Sequence, residues 1–227
     1  MNDKKAHDYS GHRKRLKERF ALSPSSIPEY ELLELILFWS SPRKDVKPLA
    51  KELLNKFGNL AKLIHADITK FSDIEGITQN SVGNFLIIKE VLRRILKKNI
   101  ETENILSSWA SVIDYLQVTM AHNQIENFRI LFLNKKNILI ADELQEVGTF
   151  DQTPVYPREV VKRALFHEAS SLILVHNHPS GNPNPSKADI SLTNRIVEIC
   201  KPLGILVHDH VIIAKNNFFS FKSHLLL

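Results

Sequence analysis

The 227-residue sequence has a single cysteine, Cys200, and no long hydrophobic run. One cysteine excludes an intrachain disulfide framework and any zinc site built from several thiolates, and it is typical of a reducing compartment. No apolar run approaches the ~20 residues that a membrane-spanning helix requires. The N-terminus is charged and lacks the hydrophobic core of a signal peptide. We therefore expect a cytoplasmic protein without a membrane partner, and no internal repeat or low-complexity segment contradicts a globular fold.

The composition allows one large or two small domains, and the charge is divided unevenly between them. The hydrophobic fraction of 43% is ordinary for a globular protein. Residues 1–100 contain 19 Lys and Arg against 12 Asp and Glu, whereas residues 101–227 contain 11 against 13. We predict a basic helical domain at 1–100 and a second domain at 101–227.

The most informative stretch follows a short apolar, β-branched run at residues 171–175, which predicts a buried strand. Because side chains alternate along a strand, His176 and His178 project to the same side. The proline-containing loop that follows is conformationally restricted and can bring Ser186 and Asp189 back at the start of a helix. Two imidazoles and one carboxylate suit Zn²⁺ and leave a fourth position for water, which is typical of a catalytic site.

Each of these features also has a simpler explanation. Ser186 and Asp189 have the spacing of a helix N-cap and its third residue. A histidine at a strand end is commonly a hydrogen-bonded surface group. The letters His-Asn-His also suggest an HNH nuclease, but that name describes residues scattered through a ββα unit and not a tripeptide. The joint pattern, His-x-His, seven residues and Ser-x-x-Asp directly after an apolar strand, favours a zinc site over these alternatives.

The sequence resembles the JAMM signature of JAB/MPN-type zinc metallopeptidases and, in its longer context, the bacterial RadC-like proteins that contain an MPN domain. The matching residues are Gly148-Thr149, Pro157-Arg158-Glu159-Val160, Leu172 to Gly181, Pro185-Ser186, Asp189 and Asp209-His210. The resemblance covers most of the chain, with a looser match in the N-terminal third.

The resemblance implies a role for each residue of the motif. In such enzymes the counterparts of His176, His178 and Asp189 bind the zinc ion, one per chain. The counterpart of Ser186 stabilises the developing oxyanion, and a glutamate from a neighbouring strand handles the water. Glu126 corresponds to that glutamate, because it stands directly before the predicted strand at residues 128–133.

Asp209 and His210 are the next most interesting pair. They could orient a ligand histidine from behind or satisfy each other in the core. We expect one of these two roles, since the three-ligand set is already complete without them.

The N-terminal part carries two patterns with a possible link to nucleic acid. Residues 11–20 form a basic helix candidate, which indicates either phosphate contacts or a solvated face. Residues 67–98 resemble the second part of a helix-hairpin-helix unit with its hairpin at residues 74–77. In such units backbone N–H groups contact a DNA phosphate. The sequence departs from the usual pattern at Thr78, where glycine is common, and at Val82, where alanine is common.

The order of elements predicts an α/β fold: a helical, helix-hairpin-helix-like part followed by a JAB/MPN-type mixed sheet with flanking helices. The predicted helices span 27–39, 45–57, 108–122 and 157–166, with another from Ser186 to about 202. The predicted strands span 128–133, 137–142, 171–175, 205–214 and 218–222, with a third strand of the second domain within 144–150.

The leading functional prediction is a zinc metallopeptidase that hydrolyses a peptide or isopeptide bond of a protein substrate. The alternative is a DNA-associated protein, such as a repair or recombination accessory factor, whose helical domain binds nucleic acid beside a non-catalytic or partner-binding MPN domain. An intact fold without turnover is also possible if Glu126 does not face the metal. A phosphodiesterase fits less well, because such enzymes commonly use two metals and several carboxylates.

Overall fold

The structure, a computed structural model, describes residues 3–42, 44–145, 155–215 and 217–227, with side chains from residue 11 onward. The chain divides into two compact units, Met1–Val91 and Leu92–Leu227. This division falls within a helix, and the predicted domain boundary between residues 100 and 101 stays a prediction.

The first unit is helical. Its helices are α1 (Asp3–Leu22), α2 (Glu29–Leu37), α3 (Lys47–Phe57), α4 (Leu60–Ile64) and the first part of α5 (Gln79–Thr102). Leu33, Leu37, Leu53 and Phe85 are among the side chains buried in its hydrophobic core. The predicted end of α3 is confirmed, because Gly58 follows it with a φ of +90° that glycine tolerates without strain.

Two features of this unit bear on the predicted nucleic-acid patterns. Gly76 lies in the predicted hairpin with a φ of +84°, and α5 begins shortly after it. In the basic helix α1, Arg13 donates to the carbonyl oxygens of Ser41, Pro42 and Lys44, and Arg19 pairs with Glu31. Part of the basic run is therefore engaged within the unit.

The second unit contains a five-stranded mixed sheet with helices on both faces. Its helices are α6 (Trp109–Met120), α7 (Pro157–Phe166) and α8 (Lys187–Cys200), and its strands are β1 (Phe128–Leu133), β2 (Leu139–Gln145), β3 (Ser171–Asn177), β4 (Leu206–Ala214) and β5 (Asn217–Ser220). Within the described residues, the strand order is β2-β1-β3-β4-β5, and of the four strand pairs only β3–β4 is parallel. The predicted mixed α/β class is confirmed.

Because side chains alternate along the central strands, they pack into two hydrophobic cores, one on each face of the sheet. Ile173 and Val175 of β3 pack with α6, whereas Leu172 and Leu174 pack with α7 and α8. Every residue of β3 is consequently buried. His176 continues the Leu172–Leu174 series and so faces α8.

The prediction of a separate strand within 144–150 is wrong for its first two residues. Leu144 and Gln145 belong to β2, because the ladder with β1 continues until Gln145 pairs with Phe128. Residues 146–150, which include the Gly148-Thr149 match, lie outside the described residues. β2 also begins later than predicted, since Asn137 adopts a φ of +57° in the preceding turn. Within the described ranges, no helix has both the length and the apolar character needed to cross a bilayer.

Candidate metal centre

His176 and His178 are placed by the end of β3. His176 is 2% exposed and lies opposite Phe128 of β1. His178 follows the strand, and its backbone N–H still donates to Ile213 of β4 at 2.9 Å. The predicted same-side projection brings the two Nε2 atoms to 3.0 Å from each other.

Ser186 and Asp189 begin α8 and form a capping box. The Ser186 hydroxyl accepts from the Asp189 backbone N–H at 3.1 Å, and Asp189 Oδ2 accepts from the Ser186 backbone N–H at 2.7 Å. The Ser186 hydroxyl also donates to Asp189 Oδ2 at 2.7 Å. The helix-cap interpretation of this pair therefore holds, and the same bonds orient the carboxylate towards the histidines.

Glu126 lies immediately before β1 on a segment that Asn177 holds in place. Asn177 Oδ1 accepts from the Asn127 N–H at 2.9 Å, and Nδ2 donates to the Ile125 carbonyl at 3.1 Å and more weakly to that of Asn123 at 3.5 Å. Asn177 is 1% exposed. Its side chain thus fixes the peptides on both sides of Glu126, a role that depends on a contact fifty residues apart in sequence and that no local pattern predicts.

Four side chains meet in one place: one ligand atom each from Glu126, His176, His178 and Asp189 lies within 4.8 Å of the others. Among the residues that the structure describes, this is the group able to hold a metal ion. Asp189 carboxylate oxygens lie 3.4 Å from His176 Nε2 and 3.7 Å from His178 Nε2. Ligand atoms about 2.0–2.1 Å from a tetrahedral zinc ion lie roughly 3.3 Å apart. The Nε2–Nε2 distance of 3.0 Å is close to that value. The two carboxylate distances, 3.4 Å to Oδ1 and 3.7 Å to Oδ2, end on different oxygens of Asp189 and are of similar size.

The hydrogen bonds behind the rings favour a cation between them. His178 Nδ1 lies 2.8 Å from the carbonyl oxygen of Asn182, which only accepts, so this nitrogen carries the proton. In the neutral ring the Nε2 lone pair then points towards His176 and Asp189. Because His176 Nε2 is only 3.0 Å away, the two nitrogens need a proton or a metal ion between them. The donor set therefore fits a metal ion.

The pKa values of the four side chains depend on one another and on burial. Burial lowers the pKa of His176 to about 4, which keeps this ring neutral. Burial also acts to raise the pKa of Asp189, but the interaction with protonated His178 and the hydrogen bonds from Ser186 outweigh it and hold this pKa well below its usual range. The interaction with Asp189 raises the pKa of His178. At Glu126, an exposed residue with a partly desolvated carboxylate, the same desolvation raises the pKa.

Asp209 and His210 are neighbours in sequence with different surroundings. Asp209 accepts from the backbone N–H groups of His210 and Lys222 and from the Ser220 hydroxyl, and so holds the chain after β5. Burial raises the pKa of Asp209. His210 Nε2 instead lies 2.8 Å from Nδ1 of His176. His210 therefore contacts a predicted ligand, and Asp209 does not.

Comparison with known proteins relates most of the chain to one family. Residues 106–226, just over half of the chain, match the model of the RadC-like JAB domain. The UPF0758 protein SPO0054 of Ruegeria pomeroyi is 47% identical over 213 residues, which are 93% of this chain and 95% of that protein. The matched region contains all four side chains of the candidate metal centre. The chain therefore belongs to the RadC-like JAB family.

Proposed function

We propose that this protein is a zinc-dependent metallopeptidase that cleaves a peptide or isopeptide bond. The observation that carries the proposal is the convergence of two Nε2 atoms, an Asp189 carboxylate oxygen and a Glu126 carboxylate oxygen within 4.8 Å. Two neutral imidazoles and a carboxylate, with a further carboxylate beside them, are the donor set of catalytic zinc hydrolases.

His176, His178 and Asp189 would hold the ion, and Glu126 would remain available for proton transfer. Zn²⁺ bound there would polarise the scissile carbonyl and lower the pKa of the attacking water towards neutrality. Glu126 would act as the general base and acid of the reaction, accepting a proton from the attacking water and returning it to the leaving amine.

Ser186 would stabilise the negative charge that develops on the carbonyl oxygen. Its hydroxyl donates to Asp189 Oδ2 in this structure. To serve the substrate, the hydroxyl turns its proton away from Asp189 while still accepting from the Asp189 N–H. A donor aimed at a developing oxyanion contributes about 10²–10³-fold in rate.

A Glu126→Gln variant tests the proposal. Purified protein loaded with Zn²⁺ is assayed on a panel of fluorogenic peptides and ubiquitin-like isopeptide conjugates, and its zinc content is measured by atomic emission. The wild type should contain about one zinc and cleave at least one substrate class. The variant should keep the metal and lose turnover by 10²-fold or more, because the carboxamide cannot take up a proton.

Glu103→Gln is the matched control, since Glu103 is an exposed carboxylate in the connection between α5 and α6. It should retain full activity. Wild-type activity in Glu126→Gln, or full zinc content in both His176→Ala and His178→Ala, would contradict the proposal.

As a second candidate function, we propose that the helical unit binds DNA, with the JAB domain accompanying it. The observations in its favour are the surplus of basic residues in 1–100 and the hairpin glycine Gly76 with its positive φ. Lys14 and Lys17 are the exposed basic residues of α1 on which we base the test, because Arg13 and Arg19 are engaged internally.

Fluorescence anisotropy with a labelled duplex at several salt concentrations measures this function. If Lys14 and Lys17 each contact a phosphate, their double reversal to Glu should weaken binding and reduce the salt slope by about 2. The same reversal at the exposed turn residues Lys135 and Lys136 should leave the slope unchanged. Negligible binding of the wild type at low salt would eliminate this candidate.

A further inference from the structure

Behind the candidate metal centre, three buried polar side chains form a continuous chain of hydrogen bonds. His176 Nδ1 lies 2.8 Å from His210 Nε2, and His210 Nδ1 lies 2.6 Å from the Thr193 hydroxyl. The Thr193 hydroxyl lies 2.6 Å from the backbone carbonyl of Asp189, one turn earlier on α8. His210 and Thr193 are both 0% exposed, so no solvent competes for these bonds.

The donor and the acceptor of each bond can be assigned by starting at the Asp189 carbonyl, where the chain of hydrogen bonds ends. The Asp189 carbonyl oxygen only accepts, so the single Thr193 hydroxyl proton is donated to it. Thr193 can then only accept from His210, which places the His210 proton on Nδ1. The His210 ring is fully buried between Phe128 and Phe221, where a charged imidazolium would be costly. The neutral ring has a single proton, already on Nδ1, so Nε2 accepts from His176 Nδ1 at 2.8 Å. The remaining nitrogen of His176, Nε2, is left with its lone pair towards His178 and Asp189.

We propose that His210 and Thr193 are positioning residues that hold His176 as its Nδ1–H tautomer, with Nε2 directed at the metal ion. The inference rests on the metal site of the proposed function and deepens it. The chain begins at one predicted ligand and ends at the backbone of another, Asp189. It therefore fixes both the protonation of His176 and the position of α8 relative to β3.

The surroundings of His210 keep its ring in this orientation. The ring stacks on Phe221 at a centroid distance of 4.7 Å and meets the edge of Phe128 at 5.7 Å. Its backbone N–H is bound by Asp209 at 2.8 Å. A flipped ring would place carbon atoms against His176 and Thr193 and would leave two buried nitrogens without partners, which is costly.

Thr193→Val is the most direct test, because it keeps the shape of the side chain and removes the acceptor for His210 Nδ1–H. Without that acceptor the His210 proton can move to Nε2, and His176 is then driven to the tautomer in which Nε2 is blocked by a proton. We expect zinc affinity, measured by competition with a chelator, to fall roughly 10- to 100-fold. Thr193→Ser restores the hydroxyl and should stay within about 3-fold of the wild type.

Thr119→Val is the matched control. Thr119 lies on α6, and its hydroxyl also bonds the carbonyl four residues earlier, that of Tyr115, at 2.6 Å. The substitution removes the same kind of bond without touching the chain behind His176. It should leave zinc affinity unchanged even if it lowers stability.

Two further variants separate positioning from packing. His210→Gln keeps an acceptor for His176 and a donor for Thr193, whereas His210→Phe fills the space and keeps neither. We expect zinc affinity to follow the order wild type, His210→Gln, His210→Phe. Equal affinities for His210→Phe and the wild type would overturn the proposal.

Nitrogen-15 NMR of the imidazoles in the metal-free full-length protein tests the tautomer without any activity. The wild type should show His176 protonated at Nδ1, and Thr193→Val should lose this preference. Protonation at Nε2 in the wild type would overturn the inference. If the wild type shows the Nδ1–H tautomer but binds no zinc, the positioning chain stands and the peptidase proposal fails.

Discussion

Asn177→Ala removes the side chain that holds the segment bearing Glu126. The substitution deletes two well-formed hydrogen bonds, from the Asn127 N–H at 2.9 Å and to the Ile125 carbonyl at 3.1 Å, and a weaker one at 3.5 Å. The two histidines on either side of Asn177 project to the opposite face and keep their own partners.

The expected loss of stability follows from these contacts. Each of the two good bonds contributes about 1 kcal/mol net. Ile125 is 68% exposed as a residue, so we take the penalty for its freed carbonyl at the lower end. We therefore expect unfolding free energy to fall by about 2–3 kcal/mol, while zinc affinity changes little.

Urea unfolding measures the stability, and chelator competition measures the metal. Asn104→Ala is the control, because the exposed Asn104 side chain accepts a single local bond from the Leu106 N–H at 2.9 Å. Asn104→Ala should lower the free energy of unfolding by no more than about 1 kcal/mol. Equal losses in the two variants would refute the idea that Asn177 holds the Glu126 segment. Activity should fall in Asn177→Ala far more than in Asn104→Ala, since the base is no longer fixed.

Three other expectations concern separate parts of the molecule. Burial and Asp142 raise the pKa of Tyr115 to about 12, so the folded state retains a proton that the unfolded state releases above pH ~10. Between pH 9 and 11 the free energy of unfolding should therefore fall by about 1 kcal/mol more in the wild type than in Tyr115→Phe. Urea unfolding at both pH values measures this difference. Gly58→Ala should lower the melting temperature through roughly 1–3 kcal/mol of backbone strain, because alanine disfavours the Gly58 conformation of φ +90° and ψ −37°. No neighbouring atom lies close enough to add a clash. An unchanged melting temperature would argue against this. His178→Ala should abolish stoichiometric zinc binding in atomic emission measurements, and retention of one zinc per chain would remove His178 from the ligand set.

The local pattern at residues 171–189 was sufficient to predict a strand, a restricted loop and a helix start. Alternation along β3 places His176 and His178 on one side, and the Ser186–Asp189 spacing produces the capping box that is observed. These are short-range consequences of backbone geometry. For the same reason, the α/β class and most element boundaries could be predicted from the sequence.

The contacts behind the ligands could not be predicted, because they depend on long-range register. Strict alternation would place Val207 and Asp209 on one face of β4 and His210 on the other. The ladder shifts opposite Leu172 and Ile173, so Val207 and His210 share the face towards α8. Such an irregularity exchanges the faces of a strand and leaves no clear mark in the sequence.

Asp189 and Thr193 lie one turn apart on α8, so a displacement of this helix moves a metal ligand and the end of the hydrogen-bond chain together. The helix is held against the sheet by a buried hydrophobic cluster that includes Ile196 of α8 and Leu174 of β3. A slide of one residue, about 1.5 Å, is far larger than the ~0.2 Å tolerance of a coordination bond. The affinity for the ion and the packing of the hydrophobic layer under α8 are thus thermodynamically linked: a bound ion strengthens that layer against unfolding, and a cavity made there weakens the ion's hold from a distance.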